Sequence, residues 1–240
     1  MVPATWKCNY DVKLCLNGNT ITGTSEDVIY VVKSLDITDC GGNGNGKGKI
    51  TLSDGAKGRG ISVGYGGALT LWNGNITGIT PPDTYKATGS GVYVAYNGQF
   101  TMRGGAITGN TSGNLGGGVY VAGTFIMSGG EITGNTSTSH GGGVYVSSYS
   151  TFTMTGGKII GNNTTTTNTD GYSAGGVYVD PTGSFIVSGN AQIRNNYWNG
   201  TLDANKGYVD GKNSNVLLLG SGSSLATITI GENGLKPEAK

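Results

Sequence analysis

Short apolar alternations recur along this chain, each followed by a glycine pair or an asparagine-containing turn. The clearest copy, Gly116–Thr136, reads GGGVYVAGTFIMSGGEITGNT and contains the runs VYV and FIM and a lone isoleucine. An alternation with a period of two residues is typical of a β-strand with one buried face. Strands of about three residues cannot bury that face alone, so they need copies of themselves above and below.

The copies follow at intervals that indicate a solenoid. Successive units begin at positions 29, 61, 92, 119, 144 and 177, so the interval is 25 to 33 residues. The second apolar run and the isoleucine are 5 or 6 positions apart, whereas the isoleucine and the next unit are 12 to 18 positions apart. A repeat of this length with several short strands is typical of a solenoid. We therefore predict an all-β fold, a single-stranded right-handed parallel β-helix with three sides and about seven to eight rungs.

The repeat also predicts the domain organisation. Residues 1–240 form a single β-helix domain, in which 12–230 make the rungs and 231–240 a tail. Residues 3–11 do not fit the repeat and are expected to form an amino-terminal cap, with Trp6 covering the first core layer. The abrupt start and the tail suggest that the domain is part of a larger protein.

Equivalent positions of the repeat are expected to stack in columns inside the coil. The expected core columns are Val92, Val119, Val144 and Val177; Phe100, Phe125, Phe152 and Phe185; Met102, Met127, Met154 and Val187; and Ile76, Ile107, Ile132, Ile159 and Ile193. Asparagines recur at one turn and predict a ladder that satisfies backbone groups at that corner. Its expected members are Asn110, Asn135, Asn162 and Asn195.

Composition narrows the possible partners. Charged residues make up 12% of the chain and the net charge is +1, without a basic stripe, so we expect no nucleic-acid partner. No apolar run reaches about 18 residues, so we expect no membrane insertion. We also expect the protein to be a monomer. The three cysteines, Cys8, Cys15 and Cys40, are interpreted as structural thiols or one disulfide rather than a zinc site.

Two elements resemble domains of known proteins. The GG-x-I-x-GN element, Gly104–Asn110, resembles the repeat of right-handed parallel β-helix domains of pectin-lyase-like fold in large bacterial secreted and cell-surface proteins. Its GGAI half is similar to the repeats of polymorphic outer membrane proteins. The LCLNG-x-T-I element, Leu14–Ile21, and the closing segment Asn215–Ile230 are similar to those of secreted or wall-attached proteins of gut Firmicutes. The resemblance implies an extracellular or cell-surface location and a structural or adhesive, non-catalytic role.

The alternative is a carbohydrate-active or carbohydrate-binding β-helix, since pectate lyases and polygalacturonases share this fold. Their sites need carboxylates that converge on one face. No two acidic residues fall at equivalent positions on adjacent rungs, and Glu131 faces Lys158, which predicts a surface ion pair. We therefore predict no catalytic residue, metal site or cofactor. Ice binding by a threonine array is disfavoured, because the outward column Thr70, Thr101, Ile126, Thr153 and Ile186 is broken.

The alternation also predicts a candidate binding surface. If Val119 and Val121 turn inward, Tyr120 turns outward. We call the equivalent residues of four consecutive rungs the tyrosine column: Tyr93, Tyr120, Tyr145 and Tyr178. The column is a candidate site for an extended glycan or a surface protein of a host or neighbouring cell; the alternative is that the rings only stack on each other.

The variable connections are expected to line one edge of the coil. They are Pro81–Lys86, Ser137–His140 and Asn163–Tyr172, which all leave between the third strand of one unit and the first strand of the next. Loops on a rigid scaffold commonly carry recognition, although plain solvated connections are the simpler alternative. The candidate binding residues at this edge are Asp83, Tyr85, His140, Asp170 and Tyr172.

Overall fold

The chain forms an all-β parallel solenoid. The structure, a computed structural model, describes residues 4–24, 26–40, 48–82, 87–166, 173–199, 201–203, 207–209, 212–218, 220–221, 224–225 and 227–235. No helix occurs among these residues. The predicted fold class is therefore confirmed, while the right hand of the coil stays a prediction.

Three long sheets form the sides of the coil. Sheet A contains the first strand of each turn: Trp6–Cys8, Ile29–Val31, Ile61–Val63, Val92–Val94, Val119–Val121, Val144–Val146, Val177–Val179 and Val216–Leu218. Sheet B contains the second: Val12–Cys15, Ser34–Thr38, Ala68–Leu71, Gln99–Met102, Thr124–Met127, Thr151–Met154, Ser184–Gly189 and Thr227–Leu235. Sheet C contains the third: Thr20–Gly23, Lys49–Leu52, Asn75–Thr77, Ala106–Thr108, Glu131–Thr133, Lys158–Ile160 and Gln192–Arg194.

Equivalent residues of the repeat pair with each other. Val92 lies opposite Val119, and Phe100 lies opposite Phe125, in parallel register. About five turns make up the regular solenoid, slightly fewer than the seven to eight rungs predicted. Less regular strands at both ends extend sheets A and B to eight strands and sheet C to seven.

A fourth, short sheet lies between sheets C and A and was not predicted. Sheet D contains two-residue strands: Thr111–Ser112, Thr136–Ser137, Asn163–Thr164, Tyr197–Trp198 and Lys212–Asn213. Ser137 pairs with Thr164, so the connections that contain these residues leave the coil at the same edge. The three predicted sides are present, and the first residues of the connections add a fourth run of parallel pairing at this corner.

The amino-terminal end is more regular than expected. Trp6–Cys8 lies within the segment 3–11 but pairs in parallel with Ile29–Val31. Trp6 packs against the main core as predicted, and Cys8 is buried beside it as a free thiol. Cys15 and Cys40 form a disulfide between neighbouring turns. At the other end, among the residues that the structure describes, three strand pairs outside the long sheets are antiparallel: Tyr197–Trp198 with Lys212–Asn213, Thr201–Asp203 with Gly207–Val209, and Gly220–Ser221 with Ser224–Leu225.

The four predicted core columns are confirmed. The valines that begin the VYV strands of sheet A and the phenylalanines of sheet B are fully buried. Successive phenylalanine rings of Phe100, Phe125, Phe152 and Phe185 are stacked at centroid distances of 4.7, 4.6 and 4.9 Å. The core is therefore a continuous apolar column along the coil. Each buried apolar side chain in it stabilises the fold by about 1.5–3 kcal/mol relative to exposure.

The asparagine ladder is present, but its fourth member is Asn196 and not Asn195. The Asn196 Oδ1 accepts hydrogen bonds from the Asn162 backbone N–H and side-chain amide at 3.0 and 2.9 Å. Asn195 is exposed and has a φ of 53°, in the left-handed region that Gly161 occupies one turn earlier. Asparagine tolerates this conformation better than most residues, so Asn195 replaces the turn glycine and the ladder position is the next residue.

The predicted surface ion pair is also confirmed. The Lys158 Nζ lies 2.7 Å from the Glu131 Oε1, and both side chains are about half exposed. An exposed pair of this kind stabilises a fold by about 1 kcal/mol at most. The pair therefore agrees with the register of sheet C, in which Glu131 lies opposite Lys158, and contributes little to the stability of the fold.

Candidate functional site

The tyrosines of sheet A form a continuous stack outside the main core. Tyr93, Tyr120, Tyr145 and Tyr178 pair in register, and their rings are nearly parallel with centroid distances of 5.3, 5.2 and 5.1 Å. The inward and outward assignment of sheet A is therefore confirmed. Such aromatic pairs contribute about 0.5–1.5 kcal/mol each beyond their area burial.

The tyrosine column is less exposed than the alternation predicts. Tyr145 and Tyr178 are only 6% and 4% exposed, and they form a second small apolar cluster with Ala174. Leu115 and Leu217 pack against this cluster. The physical reason is that the connections from sheet C to sheet A return across the outer face of sheet A, which the alternation cannot reveal.

The predicted loop-edge residues have different outcomes. His140 is half-buried and its ring stacks on Tyr178 at a centroid distance of 4.5 Å, so it extends the aromatic cluster rather than being the solvated corner residue that we expected. The other four candidates, Asp83, Tyr85, Asp170 and Tyr172, lie outside the described residues.

Two phenols of the column have altered ionisation. Burial, followed by the hydrogen bond that the Tyr145 hydroxyl donates to the Asp180 Oδ2 at 2.5 Å, raises the pKa of Tyr145 far above its ordinary value. Burial also raises the pKa of Tyr93, with Tyr120 acting in the same direction and the Arg59 guanidinium opposing it. Tyr93 and Tyr145 therefore stay neutral under ordinary conditions and suit packing rather than acid–base chemistry.

The free energy of unfolding is expected to fall as the pH rises above about 10, the ordinary pKa of tyrosine. Because the folded state raises the pKa of Tyr145, its contribution to stability is fully present below the ordinary pKa and is lost as the pH rises towards the folded pKa. Thermal unfolding over an alkaline pH series would measure this. Tyr145→Phe should flatten the decline, whereas Tyr149→Phe, on an exposed turn, should leave it unchanged; equal slopes in all three proteins would contradict the assignment.

The column ends in a polar cluster at the amino-terminal side. Ser62 occupies the tyrosine position of its turn and donates a hydrogen bond to the Asp27 Oδ2 at 2.5 Å. Arg59 lies 3.4 Å from the same carboxylate, and its Nε donates a hydrogen bond to the Thr88 carbonyl oxygen at 2.7 Å. The Arg59 guanidinium also lies 4.6 Å from the Tyr93 ring centroid. Arg59 therefore closes the end of the stack by a cation–π contact.

Beyond this cluster, the outer face of sheet A opens into a groove of about 780 Å³, which we call the sheet A groove. Tyr30 is 37% exposed and pairs across the sheet with Lys7. The groove is lined by Thr5, Lys7, Thr24, Glu26, Asp27, Tyr30, Gly55, Ala56, Lys57 and Arg59. An aromatic ring beside two exposed ammonium groups and a carboxylate can bind a polar ligand through both its apolar and its hydrogen-bonding groups.

The wall of the sheet A groove is built from two loops in close contact. Glu26 has a φ of 56°, an unusual conformation for a residue with a long side chain. A Cβ at position 58 would collide with the Glu26 carbonyl oxygen, so only glycine fits there. Backbone strain of this kind is frequent at ligand sites. No repeated pattern marks these loop residues, which is why the sequence prediction missed them.

The groove offers binding groups rather than a metal site. Asp27 already bonds with Arg59 and Ser62, and Glu26 accepts a hydrogen bond from the Thr5 hydroxyl at 3.2 Å. Within the described parts of the chain, no group of three or more His, Cys, Asp or Glu residues could hold a metal ion.

Comparison with known proteins adds no family. No protein-family model, curated protein or solved structure matches the chain. The described residues form no helix that is long and apolar enough to cross a membrane.

Proposed function

We propose that the protein is a non-catalytic structural and adhesive module of a secreted or surface-anchored bacterial protein. Its function is to hold a recognition surface on a rigid solenoid. The observation that carries this proposal is the sheet A groove, where exposed Tyr30 and Lys7 lie opposite each other on neighbouring strands of sheet A. Rigid elements position binding side chains better than loops do.

The disulfide supports the proposed location. Cys15 and Cys40 are bonded across neighbouring turns, and disulfides persist mainly in oxidising compartments such as the cell exterior. The resemblance of the GG-x-I-x-GN repeat to bacterial cell-surface domains points in the same direction.

The chemistry of the sheet A groove favours a glycan or a cell-surface protein as the ligand. The Tyr30 ring offers an apolar face and a hydroxyl, while Lys7 and Lys57 offer donors and Glu26 offers an acceptor. Lys7, Lys57 and Glu26 are exposed at this groove, where an extended ligand can reach them without displacing the core.

The second candidate is a carbohydrate-active enzyme, and one observation favours it: Glu26 and Asp27 both line the groove. Glycoside hydrolysis uses a pair of carboxylates. Against this role, Asp27 is held by Arg59 and Ser62, so its carboxylate is occupied with supporting the groove wall.

A binding assay with matched variants tests the proposal. The purified protein is applied to a glycan array and to immobilised bacterial and animal cells, together with Tyr30→Ser and Lys7→Ser. We expect each substitution to weaken binding by about tenfold or more, as for a residue at the centre of an interface. Tyr10→Ser, which removes a tyrosine that is 79% exposed and lies outside the groove, serves as the control.

Three outcomes would contradict the proposal. Absence of binding to any surface rules out adhesion, and equal binding by the Tyr30 and Tyr10 variants rules out the sheet A groove. Release of reducing sugar from a polysaccharide by the wild-type protein, lost in Glu26→Gln, would establish the enzymatic alternative instead.

A further inference from the structure

A second concavity lies on the outer face of sheet B. It has a volume of about 410 Å³ and is lined by Lys13, Asp36, Thr38 and Trp72. We call it the Trp72 groove. Its lining side chains come from three consecutive turns, and none of them belongs to the sheet A groove. The Trp72 groove is therefore a separate feature of the surface.

Trp72 is an exposed aromatic residue held in place from one side. Its side chain is 49% exposed, and the Arg103 guanidinium lies 4.9 Å from its ring centroid. Arg103 belongs to the following turn, whereas the other lining residues belong to the preceding turns. The cation–π contact thus covers one face of the indole and leaves the other face towards the groove. An exposed tryptophan with a fixed orientation is a preorganised contact surface.

The polar ends in the Trp72 groove are available to a ligand. Lys13 and Asp36 lie opposite each other on neighbouring strands. Among the residues that the structure describes, their charged groups make no ion pair. One ammonium group, one carboxylate and the Thr38 hydroxyl therefore surround the open face of Trp72, and their charges balance.

We propose that the Trp72 groove binds a neutral saccharide whose hydroxyl groups are equatorial, such as a β-linked glucan. Such a sugar presents a flat face of C–H groups that can pack on an indole ring, while its rim of hydroxyl groups both donates and accepts hydrogen bonds. Asp36 accepts from these hydroxyls, and Lys13 donates to them. The opposite charges of Lys13 and Asp36 favour a neutral ligand over an anionic one, and the Arg103 guanidinium is occupied on the other face of Trp72. This proposal goes beyond the sheet A groove and does not depend on it.

Titration with defined oligosaccharides tests the proposal. Cellohexaose, a neutral β-linked glucan, is titrated into the wild-type protein by calorimetry and by tryptophan fluorescence, with hexagalacturonate as the anionic counterpart. We expect cellohexaose to bind and hexagalacturonate to bind more weakly. Trp72→Ala should weaken cellohexaose binding by about tenfold or more and abolish the fluorescence change, since Trp6 and Trp198 lie outside the groove.

Two further variants keep the test independent of folding defects. Asp36→Asn preserves the shape of a half-buried side chain, and we expect it to weaken cellohexaose binding by about threefold to tenfold. Tyr65→Ala removes an aromatic side chain that is 71% exposed elsewhere on the surface, and should leave binding unchanged.

The proposal fails if cellohexaose does not bind, if hexagalacturonate binds more tightly, or if Trp72→Ala and Asp36→Asn bind cellohexaose like the wild type. Tyr30→Ser separates the two sites. It is expected to retain cellohexaose binding, so a loss in this variant would assign the sugar to the sheet A groove and overturn the proposal.

Discussion

Replacing Asn135 with leucine is expected to lower the free energy of unfolding by about 3–5 kcal/mol. Asn135 is fully buried and stands in the middle of the asparagine ladder. Its amide group donates to the Ile107 carbonyl oxygen and the Asn162 Oδ1, both at 2.9 Å. Its Oδ1 accepts from the Asn110 backbone N–H and side-chain amide at 3.1 and 2.9 Å. Leucine has a similar volume but leaves these four buried groups short of a partner.

Urea denaturation of the wild type and the variant measures this effect, with hydrogen exchange showing which turns open. Asn195→Gly is the matched control, because Asn195 is exposed and takes the place of a glycine in the other turns. We expect the control to change stability by about 0.5 kcal/mol at most. Similar destabilisation by both substitutions would mean that the ladder does not stabilise the corner.

Replacing Val121 with aspartate is expected to abolish folding or to cost about 4 kcal/mol or more. Val121 is fully buried between Val94 and Val146 in sheet A. A carboxylate there would lose its water without gaining a partner, because its neighbours in the column are apolar. The fold can reduce this cost only by separating the strands, which breaks the parallel pairing.

Circular dichroism and thermal unfolding compare this variant with Thr101→Asp, which introduces the same side chain on the outer face of sheet B. Two turns earlier, the column of Thr101 already contains Asp36. The control should therefore melt close to the wild-type temperature. If Thr101→Asp lost as much stability as Val121→Asp, the assignment of inner and outer faces would be wrong.

The three long sheets could be predicted because identical side chains repeat at identical positions. Once Phe100, Phe125 and Phe152 are aligned, only one register lets them stack. Sheet D could not be predicted in this way. Its strands, such as Thr111–Ser112 and Thr136–Ser137, are two residues long and mostly polar, so backbone pairing alone defines them.

The sequence predicts on which side of sheet A the tyrosine side chains lie, but not how far they are exposed to solvent. The alternation correctly turns Tyr145 and Tyr178 out of the main core, but their burial depends on where the connections run, and a repeat pattern does not encode that. The sheet A groove depends even more on the connections and the amino-terminal end, since residues such as Thr5 and Lys57 lie outside the repeated strands. Only the register of Tyr30 with Lys7 follows from the pairing itself.

Because the asparagine ladder and the core columns repeat the same residue types in successive turns, the coil can lose or gain a whole turn. In sheets A, B and C, each described strand pairs with the equivalent strands of the turns before and after it. The segment from Val119 to Gly143 is one complete turn, and its removal would bring the strands Val92–Val94 and Val144–Val146 together, both with the sequence VYV. Val187 and Ile193 are one position further apart than Met154 and Ile159, yet both pairs stay in register, so the connection between sheets B and C absorbs a single inserted residue. The coil can therefore change its length by whole turns, while small differences in the connections leave the pairing of the sheets intact.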